Sequence, residues 1–255
     1  MLTIWYLILL VFTLYLTQLA LGPIAIYFTS RQTANPHFRT FDLSNPPIPL
    51  PADYTQHLPL LESLGFTPVA HLVSTSFVNG AHLVLTVCIN RREKVTAIVS
   101  HILAEAPLMK RTLLTFTEFC TEFEDGSEIN TLNSDQAPVF VQIPEKQSFR
   151  LPHLKDPRPL YKVHQALTGR QIGASKRLAP PGMEIVELID GMKRDLAREA
   201  GFGRTFLDAS GEWYRPTLKG AVYGTFMLIW PMGTVRRFLL RRRGVQLAET
   251  LLREV

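Results

Sequence analysis

The sequence lacks the short motifs that mark most catalytic classes. No glycine-rich phosphate loop, Gly-x-Ser-x-Gly elbow, His-Glu-x-x-His pair or Cys-x-x-Cys pair occurs in its 255 residues. Cys88 and Cys120 are the only cysteines, which is too few for a disulfide framework, and their spacing is not that of a metal site. These absences argue against the enzyme families that such motifs identify, so the function has to be argued from other features.

Charged side chains are absent from the first thirty residues. The opening run supplies about twenty mostly apolar residues, the length that a helix needs to cross roughly 30 Å of hydrocarbon. Trp5, Tyr6 and Tyr27 stand near its ends, where aromatic rings prefer the membrane–water boundary. Gly22-Pro23 is expected to bend or end the helix. We therefore predict a transmembrane anchor over residues 1–30.

A cleaved signal peptide and a buried core helix are the alternatives to a retained anchor. A signal peptide has a positively charged start, a shorter apolar run and a small-x-small cleavage site. This segment has no Lys or Arg before its apolar run, the run is longer, and no Ala-x-Ala follows it. These differences favour the retained anchor.

Acidic side chains are absent between residues 215 and 243, although the chain as a whole has a net charge of only +5. The same region contains an apolar stretch of fifteen residues, 221–235, which makes about 22 Å of helix and is short of the roughly 30 Å core. Pro231 also interrupts it. Aromatic and basic residues side by side favour a segment that lies in the interface of an anionic bilayer rather than one that binds nucleic acid. The lipid-contacting residues predicted in it are Trp213, Tyr214, Lys219, Trp230, Arg236, Arg237, Arg241, Arg242 and Arg243.

The side of the membrane depends on this second segment. If it lies flat, Arg31 and Arg39 after the anchor place the domain in the cytoplasm, since basic residues flank the cytoplasmic end of a span. A bacterial inner membrane with the domain cytoplasmic is then the expected location. If it spans, the protein crosses the membrane twice and the domain is extracytoplasmic. The short length and Pro231 favour the flat arrangement.

Between the two membrane-seeking regions, the sequence predicts a proline-rich linker over residues 31–51 and an α+β domain over residues 52–212. Residues 45–51 are rich in proline and favour an extended, stiff spacer. The region 213–255 is then the aromatic and basic membrane-interface segment with its tail. No internal repeat is present.

The domain begins with a short helix that Gly65 ends and continues as strands. Residues 68–77 alternate, and Asn79-Gly80 is a strong hairpin signal. With a two-residue turn there, His71 is expected opposite Cys88. Further strands are predicted at 95–103, 113–124 and 127–132, with a short edge strand at 139–143, and helices follow around 160–167 and 185–196. The expected fold is an antiparallel β-meander of five to six strands with helices packed on one face.

Two sets of polar side chains are candidates for chemistry. His71, Cys88 and His82 are placed on one face by the expected register, where imidazole and thiolate can bind zinc or copper or act as base and nucleophile. Glu118, Cys120, Glu122 and Glu124 share one side of a strand and can bind a cation or transfer protons. A half-exposed sheet face explains both patterns equally simply, so we expect no catalytic residues, metal or cofactor.

We therefore expect a membrane-anchored accessory, scaffolding or assembly protein that presents its domain to a protein partner at the bilayer. A membrane-surface enzyme or metal-binding protein that acts on an amphiphilic substrate through the sheet-face His and Cys residues is the alternative. A membrane-tethered sensor module is the third, because an anchor joined to a folded domain is also how such sensors are built.

Overall fold

The computed structural model describes residues 2–78, 81–106, 109–135, 143–171, 173–228 and 231–254. Helices occupy α1 (Leu2–Thr29), α2 (Ala52–Ser63), α3 (Pro157–Gly169), α4 (Glu184–Gly201), α5 (Leu218–Leu228) and α6 (Met232–Glu254). Strands occupy β1 (Gln32–Thr33), β2 (Arg39–Thr40), β3 (Thr67–Val78), β4 (Ala81–Asn90), β5 (Val95–Ala106), β6 (Met109–Phe123), β7 (Glu128–Leu132), β8 (Lys146–Arg150), β9 (Lys176–Arg177), β10 (Thr205–Leu207) and β11 (Trp213–Pro216).

The strands form one mostly antiparallel sheet in the order β10-β11-β1-β3-β4-β5-β6-β7-β8, with β2 beside β3 and β9 beside β6. The α+β class is confirmed. Five to six strands was too few, because the sheet gains strands of two to four residues from segments too short to show any alternation. The simple meander was also wrong at one edge, where β8 pairs with β7 in parallel. The edge strand expected at 139–143 lies outside the described residues except for Ile143.

The β3–β4 pairing corrects the expected register. Val78 pairs with Ala81, as a two-residue connection requires, although Asn79-Gly80 itself lies outside the described residues. An irregularity between Ser74 and Val78 then shifts the partners by two residues, so that His71 pairs with Thr86 and not with Cys88. A shift of two residues changes the partners but keeps each side chain on its face, because side chains alternate with period two.

Helices cover both faces of the sheet, so the prediction of helices on one face was wrong. Strand β4 explains this, because nearly all of its side chains are buried. Val84 and Cys88 point into a core with residues of α2, α3 and the end of α6. Leu85 and Val87 point the other way, into a core with residues of α4. A strand buried on both faces reads as a continuous apolar run, and one helix layer cannot bury it.

The segment predicted as a free proline-rich spacer is packed against the domain. Strand β1 pairs with both β11 and β3, and β2 pairs with β3. Ile48 is buried in the core beside α2 and α3, and Phe38 packs on the second core, beside α4. The domain is therefore joined closely to the end of α1 and does not stand away from it.

Candidate membrane-facing site

The candidate set of His71, Cys88 and His82 is not brought together. Cys88 and His82 are six positions apart on β4, which separates them by about 20 Å along the strand. Cys88 is 1% exposed, and burial raises the pKa of its thiol to about 12. Nδ1 of His71 lies 2.8 Å from Oγ1 of Thr86. Across the described ranges, no three His, Cys, Asp or Glu side chains are grouped to hold a metal ion.

Threonine hydroxyls are the hydrogen-bond partners of four histidines on the side of the sheet covered by α2 and α3. His57 Nδ1 lies 2.8 Å from Thr117 Oγ1, and His101 Nδ1 lies 2.9 Å from Thr115 Oγ1. Burial lowers the pKa of all four imidazoles, so they are neutral near pH 7. The four pairs are His57–Thr117, His71–Thr86, His101–Thr115 and His164 with both Thr121 and Thr131. The sequence signal that was missed is the alternating threonines of β6, Thr115, Thr117 and Thr121. Their hydroxyls lie on the same face as the histidines that they contact.

The carboxylates of β6 face α4 on the opposite side of the sheet. Cys120 Sγ donates to Glu128 Oε1 at 3.3 Å, and Lys146 Nζ lies 3.2 Å from Glu128 Oε2 and 2.8 Å from Asp195 Oδ2 on α4. Burial raises the pKa of Glu118 to about 7, although Lys146 opposes this effect. These charges bind a helix to the sheet.

The two acidic side chains near the C-terminal end of β6, Glu122 and Glu124, differ in their contacts. Glu122 pairs with Arg177 at 3.0 Å, and Arg177 also reaches Glu187 of α4 at 2.7 Å. Glu124 is exposed. Glu118, Cys120 and Glu122 are half-buried, so this set lies on a half-exposed sheet face as expected.

Helix α1 is the one helix in the described residues long and apolar enough to cross a membrane, by length and composition. None of its most apolar window is buried, so it is not a core helix of this domain. Pro23 does not end it, since the helix continues to Thr29. A signal sequence passes the same test of length and composition, and the orientation of the helix in a bilayer does not follow from it.

The base of α1 is fixed to the edge of the sheet by residues predicted to contact lipid. Gln32 pairs with Tyr214, and Thr33 pairs with Trp213. The Arg31 guanidinium stacks on the Trp213 ring at 4.3 Å from its centroid, a cation–π contact. Trp213 and Tyr214 thus lie where the apolar helix meets the domain.

Helix α5 packs against the last turns of α1 through small residues. A Cβ added at Gly22 would lie 2.5 Å from Thr225 Cγ2, and one at Gly224 would lie 3.4 Å from Ile26 Cδ1. Ala221 and Thr225 are buried. Small residues allow this close approach of backbones, as in helix pairs inside membranes. The exposed side of α5 carries Leu218, Val222 and Phe226.

Helix α6 is apolar and basic in its first half and buries one face of its second half. Exposed apolar side chains at its start include Phe238 and Leu239, whereas Ala248 and Leu251 are buried in the domain core. Arg236 is half-buried and donates to Met227 Sδ of α5. Lys219 Nζ donates to the Phe202 carbonyl at 3.0 Å, and Trp230 lies outside the described residues. The exposed arginines of this half are Arg237, Arg241, Arg242 and Arg243.

Comparison with known proteins gives no relative from which a function can be carried over: no family model, curated protein or solved structure matches this chain.

Proposed function

We propose that this chain is a membrane-anchored accessory, scaffolding or assembly protein without catalytic activity. Its domain rests directly on the bilayer and meets a protein partner there. The observation that carries this proposal is the apolar, unburied α1 whose base is joined to the sheet by β1 and β11. An apolar surface of this size in water is costly, and lipid removes that cost.

The α5–α6 region gives the proposal a second membrane contact. Helix α5 has 11 residues, so it reaches about 16 Å and cannot cross the roughly 30 Å core. Packed beside the end of α1, it enters the leaflet next to the domain and returns through α6. The exposed arginines of α6 then meet anionic headgroups, each contributing about 1 kcal/mol near the surface.

A non-catalytic role also fits the use that the domain makes of its polar side chains. The histidines hold threonine hydroxyls, and the Lys146 ammonium joins Glu128 to Asp195 across the sheet and α4. These groups form hydrogen bonds and ion pairs that hold the domain together. The same residues are therefore poor candidates for an enzyme that acts on an amphiphilic substrate.

Membrane fractionation of the whole chain tests the anchor. We expect the chain to remain with membranes after alkaline and high-salt washes. A variant without residues 2–29 should bind anionic vesicles weakly and release in salt, because only the basic contact remains and salt screens it. Arginine-to-glutamine changes at 237, 241, 242 and 243 in that variant should abolish the residual binding. A full-length chain found in the soluble fraction without detergent would overturn the proposal.

A further inference from the structure

A groove of about 490 Å³ lies at the base of α1. It is lined by the last turns of that helix, by β10 and by the start of α5: Ile24, Tyr27, Phe28, Phe206, Thr217 and Leu218. Its volume falls in the range of small-molecule sites, about 300–1,000 Å³. Thr217 Oγ1 donates to the Gly203 carbonyl at 2.7 Å and accepts from the Gly220 amide at 3.1 Å, so it is not free to bind a ligand. The groove therefore presents an almost entirely apolar lining.

The groove is continuous with the surface of α1 that faces lipid. Phe28 is 73% exposed and Leu218 is 66% exposed, and Phe206 on the other wall is also exposed. Arg31, the first charged residue of the chain, follows Phe28 by three positions. In a chain anchored by α1, this position is the boundary between acyl chains and headgroups.

Two cations close in sequence to groove residues have no carboxylate partner within 4 Å in the ranges that the structure describes. Lys219 follows Leu218 directly, and its Nζ donates to a backbone carbonyl. Arg31 lies on the Trp213 ring, and its Nε is buried without a hydrogen-bond acceptor. By contrast, Arg215 Nε lies 3.5 Å from Asp208 Oδ2. An apolar groove next to two uncompensated cations complements a ligand with a fatty tail and an anionic head.

We propose that this groove holds one acyl chain of an anionic phospholipid, whose phosphate is bound by Arg31 and Lys219. The site rests on the proposed function, because it requires the base of α1 to lie at the bilayer surface. The bound lipid seals the junction between the anchor and the sheet edge. It also sets the depth at which the domain rests.

Photo-cross-linking of the full chain in phosphatidylcholine vesicles tests this site. The probe is a phosphatidylglycerol with a photoactivatable group on its acyl chain, present as a minor component, and labelled peptides are mapped by mass spectrometry. We expect the peptides containing Phe206 and Leu218 to be labelled more by this probe than by a phosphatidylcholine probe with the same chain. Lys219→Gln and Arg31→Gln should each reduce that preference about fivefold, since each basic residue near an anionic surface contributes about 1 kcal/mol.

Leu218→Trp fills the groove and should reduce labelling of these peptides. Val222→Trp, which also introduces a large aromatic ring but at an exposed position one turn further along α5, is the matched control and should not reduce it. Equal labelling by both probes, or labelling that Leu218→Trp leaves unchanged, overturns the lipid site. If the α1 peptides are still labelled, the proposed membrane anchor stands. Absence of label on α1 itself overturns the proposed function.

Discussion

His164 illustrates how this domain uses an imidazole without exposing it. The side chain is fully buried, with Thr121 Oγ1 2.8 Å from Nε2 and Thr131 Oγ1 3.0 Å from Nδ1. Burial lowers its pKa to about 3. An unfolded histidine has a pKa near 6.5, so below that pH the unfolded chain binds a proton that His164 in the folded chain does not bind. Stability is therefore unaffected by this group above pH 6.5 and is lost as the pH falls toward 3.

We predict that His164→Gln reduces the dependence of stability on acid pH. Between about pH 6.5 and pH 4, this histidine alone should cost the native chain about 1.4 kcal/mol of unfolding free energy per pH unit. The variant should be less stable than the native chain near pH 7, because one hydroxyl partner is lost, yet it should lose less stability on acidification. Unfolding in detergent micelles at several pH values measures this. His37→Gln, at an exposed position, should keep the native slope, and an unchanged slope in His164→Gln would refute the prediction.

Glu118 gives the opposite pH dependence. Burial raises its pKa to about 7, so the folded chain keeps a proton that the unfolded chain releases near pH 4.3. Stability from this group is present below that value and is lost as the pH rises to about 7. We predict that Glu118→Gln is more stable than the native chain near pH 8 by about 1–2 kcal/mol, after allowance for its partial exposure, and nearly equal to it near pH 4.

Thermal unfolding of both chains at the two pH values checks the Glu118 prediction. Glu124→Gln is the matched control, because this carboxylate lies just beyond the end of the same strand and is exposed. The control should change stability little at either pH. An equal effect of Glu118→Gln at both pH values would mean that the carboxyl is ionised normally in the fold.

At the scale of elements, the contact between α1 and α5 depends on a missing side chain. A Cβ at Gly22 would come within 2.5 Å of Thr225 Cγ2, which is overpacking and typically costs about 1–3 kcal/mol. We predict that Gly22→Ala destabilises the chain in micelles by about that amount. Thr225→Ala removes the opposing methyl group and one hydroxyl bond to the Ala221 carbonyl, at a cost of about 1 kcal/mol or less.

The double variant separates packing from helix propensity. If Gly22→Ala acts through the clash, its cost should vanish when Thr225→Ala is present, so the two changes should be strongly non-additive. Ala20→Val, an added-bulk change at an exposed position of α1, should have little effect. Additive costs in the double variant would show that α5 does not pack on this face of α1.

The same scale shows how far the sequence predicts this fold. Strands β3–β6 and helices α2, α3 and α4 follow from alternation, helical periodicity and glycine ends, because each carries its own local pattern. Strand β8 has no such pattern, since Lys146–Arg150 has a single apolar side chain, Phe149, and pairs in parallel with β7. The shift between Ser74 and Val78 leaves no mark in the alternation of the strand, and it removes the expected His71–Cys88 pair.

The residues predicted to contact lipid carry a local sequence signal, whereas the contacts among them do not. Apolar length and clustered arginines are local features, and the prediction of lipid contact rests on them alone. The stacking of Arg31 on Trp213 and the fit of Gly22 to Thr225 join residues nearly two hundred positions apart in the sequence. Such contacts exist only once β1 and β11 have paired, so no local pattern signals them.

For the whole molecule, the proposed function and the short α5 lead us to expect the domain and the C-terminal half of α6 on one side of the bilayer. Ala248 and Leu251 are buried in the domain core, which also places the end of α6 with the domain. Arg31 and Arg39 follow the apolar helix, so we expect that side to be the cytoplasm. We therefore expect a single span with a short re-entrant helix.

Single cysteines in a Cys88→Ala, Cys120→Ala background test this arrangement. Arg92→Cys reports on the domain, since that side chain is 92% exposed, and Thr250→Cys reports on α6, where the native residue is exposed. We predict that a membrane-impermeant maleimide labels both only after the cells are permeabilised, and that Leu10→Cys, within α1, stays unlabelled throughout because lipid excludes the reagent. Labelling of one reporter in intact cells but not the other would show that the α5–α6 region crosses the bilayer. Labelling of both in intact cells would reverse the side of the domain while leaving the single span in place, because the two reporters would still share one compartment.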